Sequence, residues 1–381
     1  MSAPVVIGLL AAATLLTLLL AGRKSRAERP ALRSGARPAV SPPALRPTPP
    51  VKQPPSDIAR AAPRPGPSAS LREFEWRTAE SLPESRRESM LAELKKTPPP
   101  PRAFYQLVSQ DFVARASSAE LAELVMGVPL AATQVLARAN SAYYGLQRPV
   151  GSLGQAITLL GLNSVRSLCL HYMMEASFKA HAPALRQRFD HLWAASAIAG
   201  ELSQKLAQRL QLPEPGGLVT DVALSALGHF AAATLMPREG QAASTESLLA
   251  RTWTEQAQLG APAAEIGALL MRAWDLPDVL VEEVRAIDRM LVTPADPLDT
   301  QRHLRLSVGY LSARLGERVA RGDAVNLGDF DGSVATGDDY FHLRAGLQPA
   351  QRERLGEALQ APEVLRGIQN LLEGLRKPDA G

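Results

Sequence analysis

Twelve of the 47 residues from Gly22 to Ser68 are proline, with pairs at Pro42-Pro43, Pro49-Pro50 and Pro54-Pro55. Each proline fixes φ and removes a backbone donor, and few large apolar side chains stand between them, so no core can form there. The stretch therefore divides the chain into a short amino-terminal segment and a long body. Charge divides in the same way. Residues 22–68 hold ten Lys and Arg against Glu28 and Asp57, a net of +8; residues 1–21 hold none; the whole chain is +4, so residues 69–381 carry 4 − 8 = −4. A mildly acidic globular part is a poor match for a phosphate backbone, and nucleic-acid binding is not expected.

Ahead of the proline tract, Ala3 to Ala21 is a run of 19 residues whose only polar members are Thr14 and Thr17. As a helix rising about 1.5 Å per residue it spans roughly 28 Å, the thickness of a bilayer core. A secretory signal peptide would place positive residues before the apolar run. Here Arg23, Lys24, Arg26 and Arg29 come after it. The expectation is an uncleaved transmembrane anchor over 1–21 in the inner membrane, with the amino terminus outside and the body in the cytoplasm. Residues 22–68 are then a disordered linker reaching at most ~140 Å as polyproline II. Its basic side chains either touch anionic lipids or act as a solvated spacer. The lone Cys169 excludes an intramolecular disulfide, a four-cysteine zinc site and a CxxC pair, and its apolar neighbours suit a buried small hydrophobe.

Past Ser70 the apolar spacing is helical, with no alternating strand, so the body reads as an all-α bundle. A polar amphipathic helix is expected over Leu71–Lys96, within a lead-in at 69–97, stopped by Pro98–Pro101. Ser117-Ser118 starts the next helix, and Pro129 opens Leu130–Ala142. Leu153–Leu160 ends at Gly161, and Ser164 is expected to cap Val165–Phe178. Further helices are expected at Phe189–Gln211, Asp221–Met236, Thr245–Leu259, Ala263–Trp274, Pro277–Met290, Gln301–Arg321 and Pro349–Leu375.

The run Ala137-Arg138-Ala139-Asn140-Ser141-Ala142-Tyr143-Tyr144-Gly145-Leu146-Gln147-Arg148-Pro149-Val150, followed by Ser152 to Arg166, closely resembles the signature of the HDOD family. That family is an all-α regulatory relative of the HD metal-dependent phosphohydrolases. The resemblance continues through Trp193, Leu227-Gly228 and Ile266-Gly267 to Trp274-Asp275-Leu276-Pro277. It implies a helical domain over 98–295, with 296–381 a helical extension. Read from the residues, Asn140-Ser141 ends a helix, Gly145 supplies a left-handed or tight backbone position, and Arg148-Pro149 forces an extended segment. Tyr143 and Tyr144 either pack the turn or form an aromatic platform. Asn140, Ser141, Tyr143, Tyr144, Gly145, Arg148 and Arg166 are the candidate partner-binding positions.

An HD phosphohydrolase needs His, a His-Asp pair and a further Asp around metal ions that activate water. Laid on the family pattern, the first His position is Ala195, the His-Asp position is Ser225-Ala226, a later His is Ala263, and a His-His pair reads Ile287-Asp288. Asp288 alone cannot hold a metal. His171, His181 and His191 fall ten apart, and His229 is expected at the surface or capping a helix. Asp329 to Ser333 resembles a calcium loop, but its glycine is misplaced and Tyr340 stands where a glutamate is needed, so it reads as a turn. No nucleotide loop or nucleophile elbow occurs.

No catalytic, metal or cofactor site is therefore expected. The apolar run and the replaced ligands point to a membrane-tethered, non-catalytic protein, and the resemblance implies a signalling or scaffold module that binds cytoplasmic signalling proteins. The alternative is a sensor of a small effector, such as a cyclic dinucleotide, held in the cleft of the lost metal site.

Overall fold

The computed structural model describes residues 66–141, 144–179, 182–236, 247–294, 296, 298–323, 327, 330 and 334–375. The expected anchor, the linker up to residue 65, Tyr143, His181 and most of the Asp329–Ser333 turn lie outside the described residues. Among the described residues the regular elements are helical. The first half of the body comprises α1 (Ala69–Glu73), α2 (Glu84–Leu94), α3 (Arg102–Val108), α4 (Gln110–Arg115), α5 (Ser118–Met126), α6 (Pro129–Ala139), α7 (Leu153–Leu160) and α8 (Leu162–Ser177). Then come α9 (Pro183–Leu210), α10 (Pro215–Leu235), α11 (Leu248–Leu259), α12 (Ala263–Ala273), α13 (Asp278–Arg289), α14 (Thr300–Arg321), α15 (Phe341–Gly346), α16 (Pro349–Leu359) and α17 (Pro362–Leu375).

Local chemistry accounts for many of these ends. Ser117 and Glu120 form a reciprocal capping box, with the Ser117 N–H donating to the Glu120 carboxylate at 2.7 Å. Pro129, Pro183, Pro215 and Pro349 sit in first turns, where a missing N–H has no intrahelical partner to lose.

Three expectations need correction. Leu71–Lys96 is not one helix: after α1 the chain runs extended, makes a short 3-10 turn (Ala79–Ser81), and resumes as α2 behind Pro83. Burial overrides periodicity there, because Phe74 is 8% exposed against Trp253 and the Trp76 Nε1–H donates to Glu265 at 2.8 Å. Ser164 is not a cap, because Gly161 turns the chain at φ +88° and α8 begins immediately at Leu162. The Pro349–Leu375 span is two helices, broken at Gln360-Ala361 ahead of Pro362.

Two apolar cores hold the bundle, and the long helices α9 and α10 serve both. Phe189 and Trp193 of α9 join Leu227 and Phe230 of α10 in one core. Leu202 and Leu206 join Leu218 and Val222 in the other, which α14, α16 and α17 complete and to which Leu71 and Phe74 return. Helix α10 is long and apolar enough to cross a bilayer, but 83% of its apolar window is buried, so that apolarity serves the core.

Candidate functional site

The signature turn comes directly after α6. Asn140 pins it at both ends: its Nδ2–H donates to the Val150 carbonyl at 2.9 Å, and the Val150 N–H donates to its Oδ1 at 2.6 Å. Gly145 takes φ +55°, the left-handed position expected of it. Arg148 is exposed, and Ser141 and Tyr144 are half-buried. Replacing Asn140 by alanine is expected to lower stability by about 1–2 kcal/mol through the two lost bonds, read by urea unfolding. An unchanged midpoint would show that the turn is held elsewhere.

Arg166 does not belong to an accessible surface. It is 1% exposed, and its Nη2–H donates to the Gly216 carbonyl, tying α8 to the start of α10. Its Nε and Nη1 have no partner among the described residues, and burial lowers its pKa to about 10 in spite of the nearby Asp221. The α8 face that carries Val165 and Cys169 packs inward and takes Arg166 with it. Cys169 is buried as expected, and burial raises its thiol to about 12.

The positions where the family pattern places metal ligands are packed with protein. Ala195, Ser225, Ala263, Ile287 and Asp288 are buried, the most exposed being Ser225 at 8%, and Ala226 is half-buried. Helix α14 packs over Ala195, Ile287 and Asp288. A Cβ on Gly316 would lie 2.4 Å from the Ala195 carbonyl oxygen, and one on Gly309 would lie 2.6 Å from Ile287 Cδ1. Arg314, between these two glycines, meets Asp288: its Nη2–H donates to Asp288 Oδ1 at 3.0 Å.

Asp288 is one member of a buried polar chain. His229 Nε2 stands 2.9 Å from Asp288 Oδ2. Beyond Asp288, Arg314 Nη1 donates to Glu317 at 3.2 Å, and Arg251 Nη2 donates to the other Glu317 oxygen at 3.0 Å. Arg251 Nε lies 3.8 Å from Glu255, whose second oxygen accepts the Ala263 N–H at 2.8 Å. Burial opposes ionisation of Asp288, yet Arg314 and His229 overcome it and hold the carboxyl well below its usual range. Burial likewise opposes Glu317, which Arg251 and Arg314 pull down to about 2.

A metal does not fit these residues. Among the described residues no group of three or more His, Cys, Asp or Glu is placed to hold one, and a guanidinium already satisfies Asp288. His229 is 7% exposed beside Asp288, not at the surface or on a cap as expected. Arg251, Glu255, Arg314 and Glu317 escape a motif search because none belongs to the family signature. The Arg251–Glu255 and Arg314–Glu317 spacings signal only same-face pairs.

The family model described as "HDOD domain" matches residues 98–290. An HDOD domain protein of unknown function from Geobacter sulfurreducens is similar in structure, with TM-score 0.51 and 15% identity, covering 74% of this chain and 98% of that one. A protein from Marinobacter aquaeolei, named as a candidate for signal transduction, matches with TM-score 0.48 and 19% identity over 80% of this chain and 63% of its own. A candidate phosphohydrolase from Shewanella amazonensis matches with TM-score 0.41 and 21% identity over 71% of this chain and 98% of its own. No curated protein matches.

Proposed function

The chain belongs to the HDOD domain family, and from that premise we propose that it is a non-catalytic signalling protein, a scaffold tethered to the inner membrane through residues 3–21 that binds cytoplasmic signalling proteins. One observation carries the non-catalytic part: Arg314 of α14 occupies the carboxylate of Asp288, the one side chain able to ligate a metal at the positions of the pattern. A guanidinium supplies fixed positive charge without activating water, so the site keeps the electrostatics of a cation and loses its Lewis acidity. Substitution at Ala195, Ser225, Ala226, Ala263 and Ile287 removes the other donors. The apolar run and the basic residues after it support the tether.

The test is made on full-length protein purified in mild detergent. Elemental analysis after a chelator wash is expected to find far less than one metal ion per chain. Phosphate release from nucleotide and phosphomonoester substrates with manganese or magnesium is expected to match the blank. One retained metal per chain, or metal-dependent release abolished by Asp288→Asn, would overturn the reading.

A further inference from the structure

A cavity of about 250 Å³ opens on the far side of α9 from this polar chain, bounded by α8, α9 and α17. Ser164, Ser167 and His171 of α8 face it at three- and four-residue spacing, so one stripe of that helix forms a wall. Helix α17 closes the opposite side by approaching α9 tightly, where a Cβ on Gly367 would lie 3.0 Å from Glu201 Oε1. The end is shut by Leu159 and Leu160 of α7 and by Tyr144 of the signature turn. The matched family segment thus contributes two walls, and a helix of the carboxyl-terminal extension contributes the third.

The lining is sorted chemically. Arg138, Lys205 and Arg366 bring positive charge from three different helices, and Glu201 and Glu363 stand among them. Lys205 is 3.6 Å from Glu201, and Arg366 donates its Nε–H to the Pro362 carbonyl at 3.1 Å, with no ion pair among the described residues. Beside them Ser167, Ser196 and His171 offer neutral hydrogen-bonding groups, and the His171 Nδ1 has no partner among the described residues. Burial lowers the His171 pKa to about 4, which keeps the ring neutral. Leucines and the Tyr144 ring supply apolar area beside them.

We propose that this cavity binds a small phosphate-bearing ligand of mononucleotide size, its phosphate on the Lys205 and Arg366 cations, its hydroxyls toward Glu201 and the serines, and its apolar part against Tyr144 and the leucines. Guanidinium forks match phosphate oxygens in pairs. The volume lies just below the usual range for drug-sized ligands, about 300–1000 Å³, which suits a mononucleotide better than a cyclic dinucleotide of twice the size. A bound ligand would bridge the family domain and α17, so occupancy would be felt by whatever the extension contacts. The site is separate from the Arg314–Asp288 region, and the proposal does not rest on the non-catalytic reading.

The test is calorimetric titration of the full-length protein in detergent with AMP, GMP, inorganic phosphate and cyclic di-GMP in turn. Saturable binding of AMP or GMP at one per chain is expected, with inorganic phosphate at least tenfold weaker. Arg366→Glu, at an exposed position, is expected to weaken mononucleotide binding about tenfold to a hundredfold with the melting temperature unchanged. Ser196→Leu, which fills the interior, is expected to abolish it. Absence of AMP and GMP binding up to about 1 mM, phosphate binding as well as either, cyclic di-GMP binding more tightly, or an Arg366→Glu affinity equal to wild type would each overturn the proposal.

Discussion

Replacing Arg314 by alanine is expected to lower the stability of the fold by about 3–5 kcal/mol, seen as a fall of roughly 10 °C in melting temperature. The side chain is 4% exposed and holds two carboxylates at once, Asp288 at 3.0 Å and Glu317 at 3.2 Å. Without it each acid keeps one partner, His229 or Arg251, in surroundings where an undercompensated charge is costly. A charge mechanism carries a pH signature that lost packing would not. Asp288 and Glu317 have folded-state values depressed below the usual range. Their contribution is present above the unfolded carboxylate values, near pH 4, and is lost as protons bind below them. The gap between wild type and variant is therefore expected to narrow below about pH 4. Denaturant unfolding at neutral and acidic pH measures it. A gap that stays constant with pH would assign Arg314 to packing alone.

Gly228→Ala is expected to cost about 3 kcal/mol or more. Helices α10 and α12 cross backbone to backbone at this point: an added Cβ would lie 2.3 Å from the Ala263 carbonyl oxygen and 2.8 Å from its carbon. From the other side, a Cβ on Gly267 would lie 2.7 Å from the Gly228 Cα. Backbone atoms inside two packed helices cannot swing aside as a side-chain tip can, so the helices must separate and the core between them loosens. Gly154 is the control. It lies inside α7 with nothing within 4 Å of an added Cβ, so Gly154→Ala is expected to stabilise by about 0.5–1 kcal/mol. Chemical denaturation of the two variants side by side gives opposite signs if the crossing is as close as described. A Gly228→Ala protein as stable as wild type would rule that crossing out.

These residues also show how far the chain can be read without its fold. Leu227-Gly228 and Ile266-Gly267 are recognisable as parts of a family pattern, but nothing in either dipeptide says that the two glycines meet. His229 reads as a surface or capping residue because a histidine in a helix carries no mark of the carboxylate opposite it. Arg166 sits in the most recognisable stretch of the sequence, and nothing in that stretch says that it is buried. Its exposure depends on where Gly216 lies, 50 positions away. The break of Leu71–Lys96 into separate pieces is hidden for the same reason: Phe74 and Trp76 leave the helical path to reach Trp253 and Glu265.

The amino-acid sequence settles, unaided, whatever acts within a few residues or along one stretch. Proline density separates residues 22–68 from the body, apolar spacing makes the body helical, Ser117 with Glu120 starts a helix, and the signature run with its continuation marks the family. These rest on backbone geometry and local hydrogen bonding, which neighbours in sequence can settle between themselves. The packing of the helices decides that α14 lies over Ala195, Ile287 and Asp288, that Arg314 pairs with Asp288, and that α17 closes a cavity beside the signature turn. Each of these depends on which helix faces meet. Meeting is set by burial and close packing summed over the whole bundle, and no local segment encodes that sum.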